Sequence, residues 1–184
     1  YDENKRWPDG LSPFGFKVVK EMNKQGVMID ISHVSDAAFM KVLELSDAPV
    51  VATHSSLRHF TPGWERNVSD EMLIALAENG GVIQLCFGSD FVANRKDNPD
   101  IQVSVKNVVD HIDRVRDLVG IDHVGFGSDF DGEVPLPEDI NDVSKFPNLI
   151  EELLMRGYTE SEIDKILNGN ILRVWKEVRA LADA

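Results

Sequence analysis

Cysteine is nearly absent from this 184-residue chain: Cys86 stands alone, so no internal disulfide forms and nothing implies an oxidising compartment. Cys86 lies in the apolar run Val82-Ile83-Gln84-Leu85-Cys86-Phe87 and reads as a buried core thiol. Long apolar stretches are missing too. None approaches the roughly eighteen residues that a bilayer-crossing helix needs, and residues 1–14 are polar, so neither a membrane segment nor a signal peptide is read here. A cytoplasmic location is the expectation, with any targeting signal lying outside these residues. Positive charge is scarce: 19 Lys and Arg stand against 32 Asp and Glu, for a formal net charge of −13 and no concentrated basic run. That balance argues against nucleic acid and anionic membranes as partners. What is present, 42% hydrophobic and 28% charged residues, is too apolar for disorder and sufficient for the core of one domain.

Strand-like and helix-like segments alternate four times. Phe14, Val18, Val19 and Met22 recur at helical spacing, and Gly26 ends that helix before an apolar strand over residues 27–32. A helix over 36–45, capped by Ser35 or Asp36, leads to a second strand at 50–53. The stretch 55–68 holds Pro62-Gly63 and no apolar period, so it reads as a long and functional loop. Ser69 caps a helix through Asn79, a third strand covers 82–87, and a second polar loop runs over 88–102. Val105, Val108, Val109, Ile112 and Val115 mark the next helix, which Gly120 stops before a fourth strand at 124–128. The tail carries a capping box, Thr159 with Glu162, and a helix starting at Asn170 whose Ile171, Val174, Trp175 and Val178 are expected to face inward. Crossovers of this length and periodicity indicate parallel strands and an α/β fold. Four such units equal half of an eight-stranded barrel, which would leave two open sheet edges.

His33 and His54 fall at the ends of the first two strands, 21 residues apart, and Asp129 follows the fourth in the same way. Strand ends form the rim that carries chemistry in barrels of this kind. Imidazoles from neighbouring strands suit Zn²⁺ when the second ring nitrogen is held in place; the alternative is a structural hydrogen-bonding role. Asp129 and Asp131 flank Phe130, and on an extended chain both carboxylates would share a side, where one could pass a proton to a leaving amine. The alternative there is a plain turn. Arg66, in the loop after His54, could clamp a carboxylate with its fork, or simply be solvated. His59, His111 and His123 are weaker candidates by position.

Together these segments resemble the membrane dipeptidase, or renal dipeptidase, family. The matching stretches are Gly10-Leu11-Ser12-Pro13-Phe14-Gly15, Met28-Ile29-Asp30-Ile31-Ser32-His33-Val34-Ser35, Ala52-Thr53-His54-Ser55-Ser56, Arg66-Asn67-Val68, Gly125-Phe126-Gly127-Ser128-Asp129-Phe130-Asp131-Gly132 and Asn170-Ile171-Leu172-Arg173-Val174. They run in the family's order along nearly the whole chain, and their combination is specific. The resemblance implies a (β/α)₈ metallopeptidase with a binuclear zinc centre that cleaves dipeptides. It implies His33 and His54 as ligands of one zinc, Arg66 as the binder of the substrate carboxylate, Asp129 as the proton carrier at the scissile nitrogen, and a supporting role for Asp131.

The family's His-x-Asp pair, its bridging glutamate and a further histidine, carried on its first, third and fourth strands, have no counterpart in this sequence. The expectation is therefore a C-terminal half-barrel, residues 1–184 as a single domain, complete as an enzyme only with an absent N-terminal half. Its partners would be a dipeptide substrate and either that half or a second copy of itself in a homo-oligomer. The competing expectations are an inactive remnant acting by self-association or binding, and an amidohydrolase acting on another amide or a lactone.

Overall fold

Helix starts are set locally, by hydroxyl side chains that satisfy the first free backbone N–H groups. The computed structural model describes residues 7–182, so the polar start read over 1–14 lies partly outside the described residues. Helix α1 (Pro13–Lys24) is capped by Ser12, whose hydroxyl accepts from Gly15 N–H at 3.0 Å. Helix α2 (Asp36–Leu45) is capped by Ser35, and α3 (Asp70–Glu78) by Ser69. Helix α5 (Val105–Val119) buries Val105, Val108, Val109, Ile112 and Val115, the stripe read from the sequence.

Strands β1 (Val51–Ser55), β2 (Val82–Leu85) and β3 (Val124–Phe126) form a parallel sheet in that order. Val51 stands opposite Val82, and Ile83 opposite Val124. Helix α3 links β1 to β2. A short α4 (Ser89–Val92), inside a segment read as loop, and α5 link β2 to β3. The parallel α/β architecture is thus present, with Phe39, Leu73, Leu76, Ile83, Phe87 and Ile112 fully buried in its core.

The first expected strand differs. Residues 27–32 lie parallel to β1 but form a single bridge, Asp30 with Val51, closed by Ile31 N–H to Val51 O at 2.8 Å and Val51 N–H to Ile29 O at 3.0 Å. Two causes are visible. The Asp30 carboxylate itself takes the Ser32 N–H at 2.9 Å, and the chain then turns into His33, whose φ is +64°. Val27, expected in a buried strand, is 47% exposed.

The tail also differs in detail. Helix α6 (Phe146–Met155) precedes α7 (Glu160–Asp164), which has the expected Thr159–Glu162 capping box. A π-helical turn over Lys165–Gly169 then runs without a break into α8 (Asn170–Ala182). Asn170 is therefore not a helix start. It is buried, and its amide donates to the carbonyls of Ile121 at 2.7 Å and Val124 at 2.8 Å. Val174 and Val178 are buried as expected, whereas Trp175 is 43% exposed, with the Arg179 guanidinium over its ring. One turn on from Asn170, Arg173 donates to Gly80 O and Asp122 O, and His123 Nδ1 donates to Gly81 O. Side chains thus tie the N-terminal ends of β2 and β3 to α8.

At the other end the strands come unusually close. A Cβ on Gly127 would lie 2.1 Å from Thr53 O and 2.7 Å from Gln84 O, so only glycine fits where the chain leaves β3.

Candidate metal and substrate site

Side chains leaving the C-terminal ends of the strands meet in one place. His54 is within β1, and His33 follows the segment paired with β1. Their Nε2 atoms are 2.9 Å apart, with ring centroids at 4.9 Å. His33 is exposed and His54 half-buried.

The state of each ring follows from its neighbours. Thr53 Oγ1 has one proton, which it donates to Asp30 Oδ2 at 2.6 Å. The 2.7 Å contact between Thr53 Oγ1 and His54 Nδ1 therefore needs the ring to donate, which leaves the His54 Nε2 lone pair free. Arg66 Nη2 donates to His33 Nε2 at 3.1 Å, so that nitrogen too is an acceptor. Two imidazole lone pairs facing across 2.9 Å repel, the Arg66 guanidinium that donates to one of them offsets this, and two neutral imidazoles suit a borderline metal such as zinc. The donor set therefore fits part of a metal's ligand shell. Among the described residues, no group of three or more His, Cys, Asp or Glu side chains could complete it.

Burial pushes the His33 pKa down, and the Arg66 charge adds to this, as does His54 when it is protonated; Asp129 and Asp30 act the other way. A neutral ring, the form a metal needs, is favoured. For Asp30, burial would raise the carboxyl, but hydrogen bonds from the Thr53 hydroxyl and from the Ser32 and Thr53 N–H groups outweigh it and hold the pKa below the ordinary value.

Arg66 is aimed by its loop. Its Nη1 donates to Ser55 Oγ at 2.7 Å and its Nη2 to His54 O at 2.5 Å, while its Nε has no partner. The loop is pinned on both sides of it. The buried Asn67 side chain accepts from Ser56 N–H and donates to Thr61 Oγ1 and Phe91 O. Arg58 donates to Asn67 O and Glu65 O and makes a two-pronged pair, 2.8 Å on each prong, with Asp36 at the start of α2. A cavity of about 540 Å³ opens beside Arg66, lined also by Trp64, Asn94 and Lys96.

Asp129 stands after β3 with φ +66°. Expected extended alternation with Asp131 does not occur: Gly132 N–H returns to Asp129 O at 3.1 Å, a turn, and Asp131 is exposed. The positive φ breaks the two-residue period on which that expectation rested. Cys86 Sγ donates to Asp129 Oδ2 at 3.8 Å, and burial pushes this thiol up to about 11. His33, His54 and Arg66 thus touch, with Asp129 close enough for its charge to act on His33.

Asp30, Thr53, Ser55, Arg58 and Asn67 were not singled out from sequence. Asp30 did carry a signal, a charge between Ile29 and Ile31 in an apolar run; Arg58 and its partner 22 residues away carried none. Outside the site, His111 is fully buried, with Nδ1 accepting from Leu57 N–H and Nε2 donating to Val92 O. His59 is exposed and packs edge-on against Phe60.

A parallel α/β scaffold thus brings two histidines and an arginine together at the C-terminal ends of its strands. The family model described as membrane dipeptidase (peptidase family M19) matches residues 1–184, and the chain belongs to that family. Among solved structures it is similar to the probable dipeptidase PvdM from Pseudomonas aeruginosa, at 30% identity and a TM-score of 0.87, covering 94% of this chain and 56% of that one. It is also similar to a metallo peptidase from Rhodobacter sphaeroides liganded with a phosphinate mimic of the dipeptide L-Ala-D-Ala, at 35% identity and a TM-score of 0.84, covering 92% and 48%. An amidohydrolase from Pseudomonas aeruginosa matches at 30% identity and a TM-score of 0.82, covering 93% and 58%. The chain spans about half the length of these relatives. No helix among the described residues is long and apolar enough to cross a membrane.

Proposed function

We propose that this chain supplies one side of the active site of a zinc-dependent dipeptidase, and that its strands are the C-terminal half of a (β/α)₈ barrel. The observation that carries this reading is the meeting of His33 and His54 Nε2 at 2.9 Å, two lone-pair donors that together make up part of a zinc shell. The family match and the dipeptide mimic bound to the Rhodobacter sphaeroides relative support the substrate class. The coverage of about half of each relative supports a site whose other ligands, including those of a second zinc, come from outside these residues.

Bound zinc supplies Lewis acidity toward the scissile carbonyl and eases proton loss from water. His33 and His54 would hold it. Arg66, whose loop is fixed by Asn67 and Arg58, presents a guanidinium beside the cavity, and its planar fork matches the terminal carboxylate of a dipeptide. Asp129 takes a proton from the attacking water and delivers it to the leaving nitrogen. Cys86, protonated and buried, stays out of the chemistry and donates to Asp129.

A second reading is a non-catalytic remnant that self-associates or binds a partner, favoured by the lack of a third ligand among the described residues. Zinc content and hydrolysis of a simple dipeptide, measured on the chain combined with the missing half of the barrel, separate the two. About two zinc ions per assembled barrel with turnover supports the dipeptidase; assembled material without zinc or turnover leaves the remnant.

A further inference from the structure

Two hydrogen bonds join the site to a residue that contacts neither substrate nor metal in the reading above. Asp30 Oδ2 accepts from the Thr53 hydroxyl at 2.6 Å, and the Thr53 oxygen meets His54 Nδ1 at 2.7 Å. Asp30 is held firmly in its turn: Oδ1 takes the Ser32 N–H at 2.9 Å and the Thr53 N–H at 3.1 Å. The bridge between Asp30 and Val51 fixes the backbone register of the two segments. His54 is held from its other side as well, by its N–H to Ser32 Oγ at 3.2 Å and its carbonyl to Arg66.

We infer that Thr53 is a positioning residue, a one-proton relay that couples Asp30 to His54 and fixes His54 as the tautomer protonated on Nδ1. The direction is forced by the proton count. A carboxylate donates nothing, so the threonine proton points to Asp30, and the threonine oxygen can then only accept from the ring. Reversing the relay would leave Asp30 Oδ2 without its donor and place a proton on His54 Nε2, facing His33. A direct carboxylate–histidine contact is the usual way to orient a ligating ring. Here a hydroxyl is interposed, and the same carboxylate also binds two backbone N–H groups of the adjacent segments, so the ring's orientation is tied to strand register. The purpose assigned to the relay, presenting Nε2 to a metal, rests on the proposed zinc reading; the relay itself does not.

The test is ¹⁵N NMR of the histidine ring nitrogens in the 184-residue chain without metal, compared with Thr53→Val and Thr53→Ser. Val matches the shape of Thr without the hydroxyl, and Ser retains it. The expected result is a fixed Nδ1–H form of His54 in the wild type, its loss in Thr53→Val, and recovery in Thr53→Ser, with the backbone amide spectrum little changed in all three. A His54 protonated on Nε2 in the wild type, or a tautomer unmoved in Thr53→Val, overturns the inference. Titration with Co²⁺ of the assembled barrel adds a second reading: affinity at this position falls by about 10- to 100-fold in Thr53→Val and is restored in Thr53→Ser. A relay that behaves as expected by NMR in a wild-type assembly that binds no metal would sink the zinc reading and leave the relay standing.

Discussion

Two non-glycine residues of the site, His33 and Asp129, adopt left-handed backbone with φ of +64° and +66°. That conformation costs on the order of 1 kcal/mol or more for a side-chain-bearing residue, and here it lets each chain turn at the strand end where its side chain is needed. Asp129→Asn tolerates the same backbone, so it should preserve fold and metal content while lowering turnover of the assembled enzyme by about two to four orders of magnitude; steady-state kinetics with a metal assay on the same sample checks this. Arg66→Lys should weaken a dipeptide more than its C-terminal amide, because charge survives and the fork does not. Equal losses in kcat/KM for both substrates would argue against carboxylate recognition. The proximity of His33, His54 and Asp129 was legible in sequence because strand ends can be found from apolar runs, and that of Arg66 because its loop follows the His54 strand. Thr53 was not, since a threonine in a strand is ordinary and its partner Asp30 is 23 residues away.

Between elements, His111 is a buried titratable tie, joining α5 to the backbone after β1 and to the end of α4. Burial pushes its pKa down to about 4 from an ordinary 6.5. The unfolded chain therefore binds the extra proton first: stability is full above about pH 6.5, falls as pH drops toward about 4, and levels off below, a total of about 3 kcal/mol. Urea midpoints across this range should show that slope in the wild type and a shallower one in His111→Gln. Gly127→Ala should be more severe, since its methyl meets the Thr53 and Gln84 carbonyls; a loss of about 3 kcal/mol is expected in the same assay. Helices α2, α3 and α5 could be read from caps and periodicity almost to the residue, whereas α1 showed only its apolar spacing and its end at Gly26. The segment 27–32 could not, because its apolar composition is strand-like while Asp30 diverts a backbone donor. Nor could the continuity through Asn170, whose amide is used by carbonyls 46 and 49 residues away.

For the whole molecule, the α/β class followed from the alternation of periods, but closure did not, because closing a barrel is a property of strands that have to be counted together. The segment paired with β1, and β3, are the outer members of the described sheet. Parallel sheets of this kind are covered or continued on both sides. Light scattering of the 184-residue chain should accordingly show a dimer or larger species, converting to a defined complex with dipeptidase activity when the other half-barrel is added. An active monomer would defeat the half-barrel proposal.

The ties from Asn170, Arg173 and His123 lie at the N-terminal ends of β2 and β3, while every proposed reacting group lies at the C-terminal ends. Selection for heat tolerance and selection for a new substrate would therefore act on different residues of the same strands. A lineage could tighten these N-terminal ties and raise its melting temperature while the geometry of the proposed site at the C-terminal ends stayed as it was.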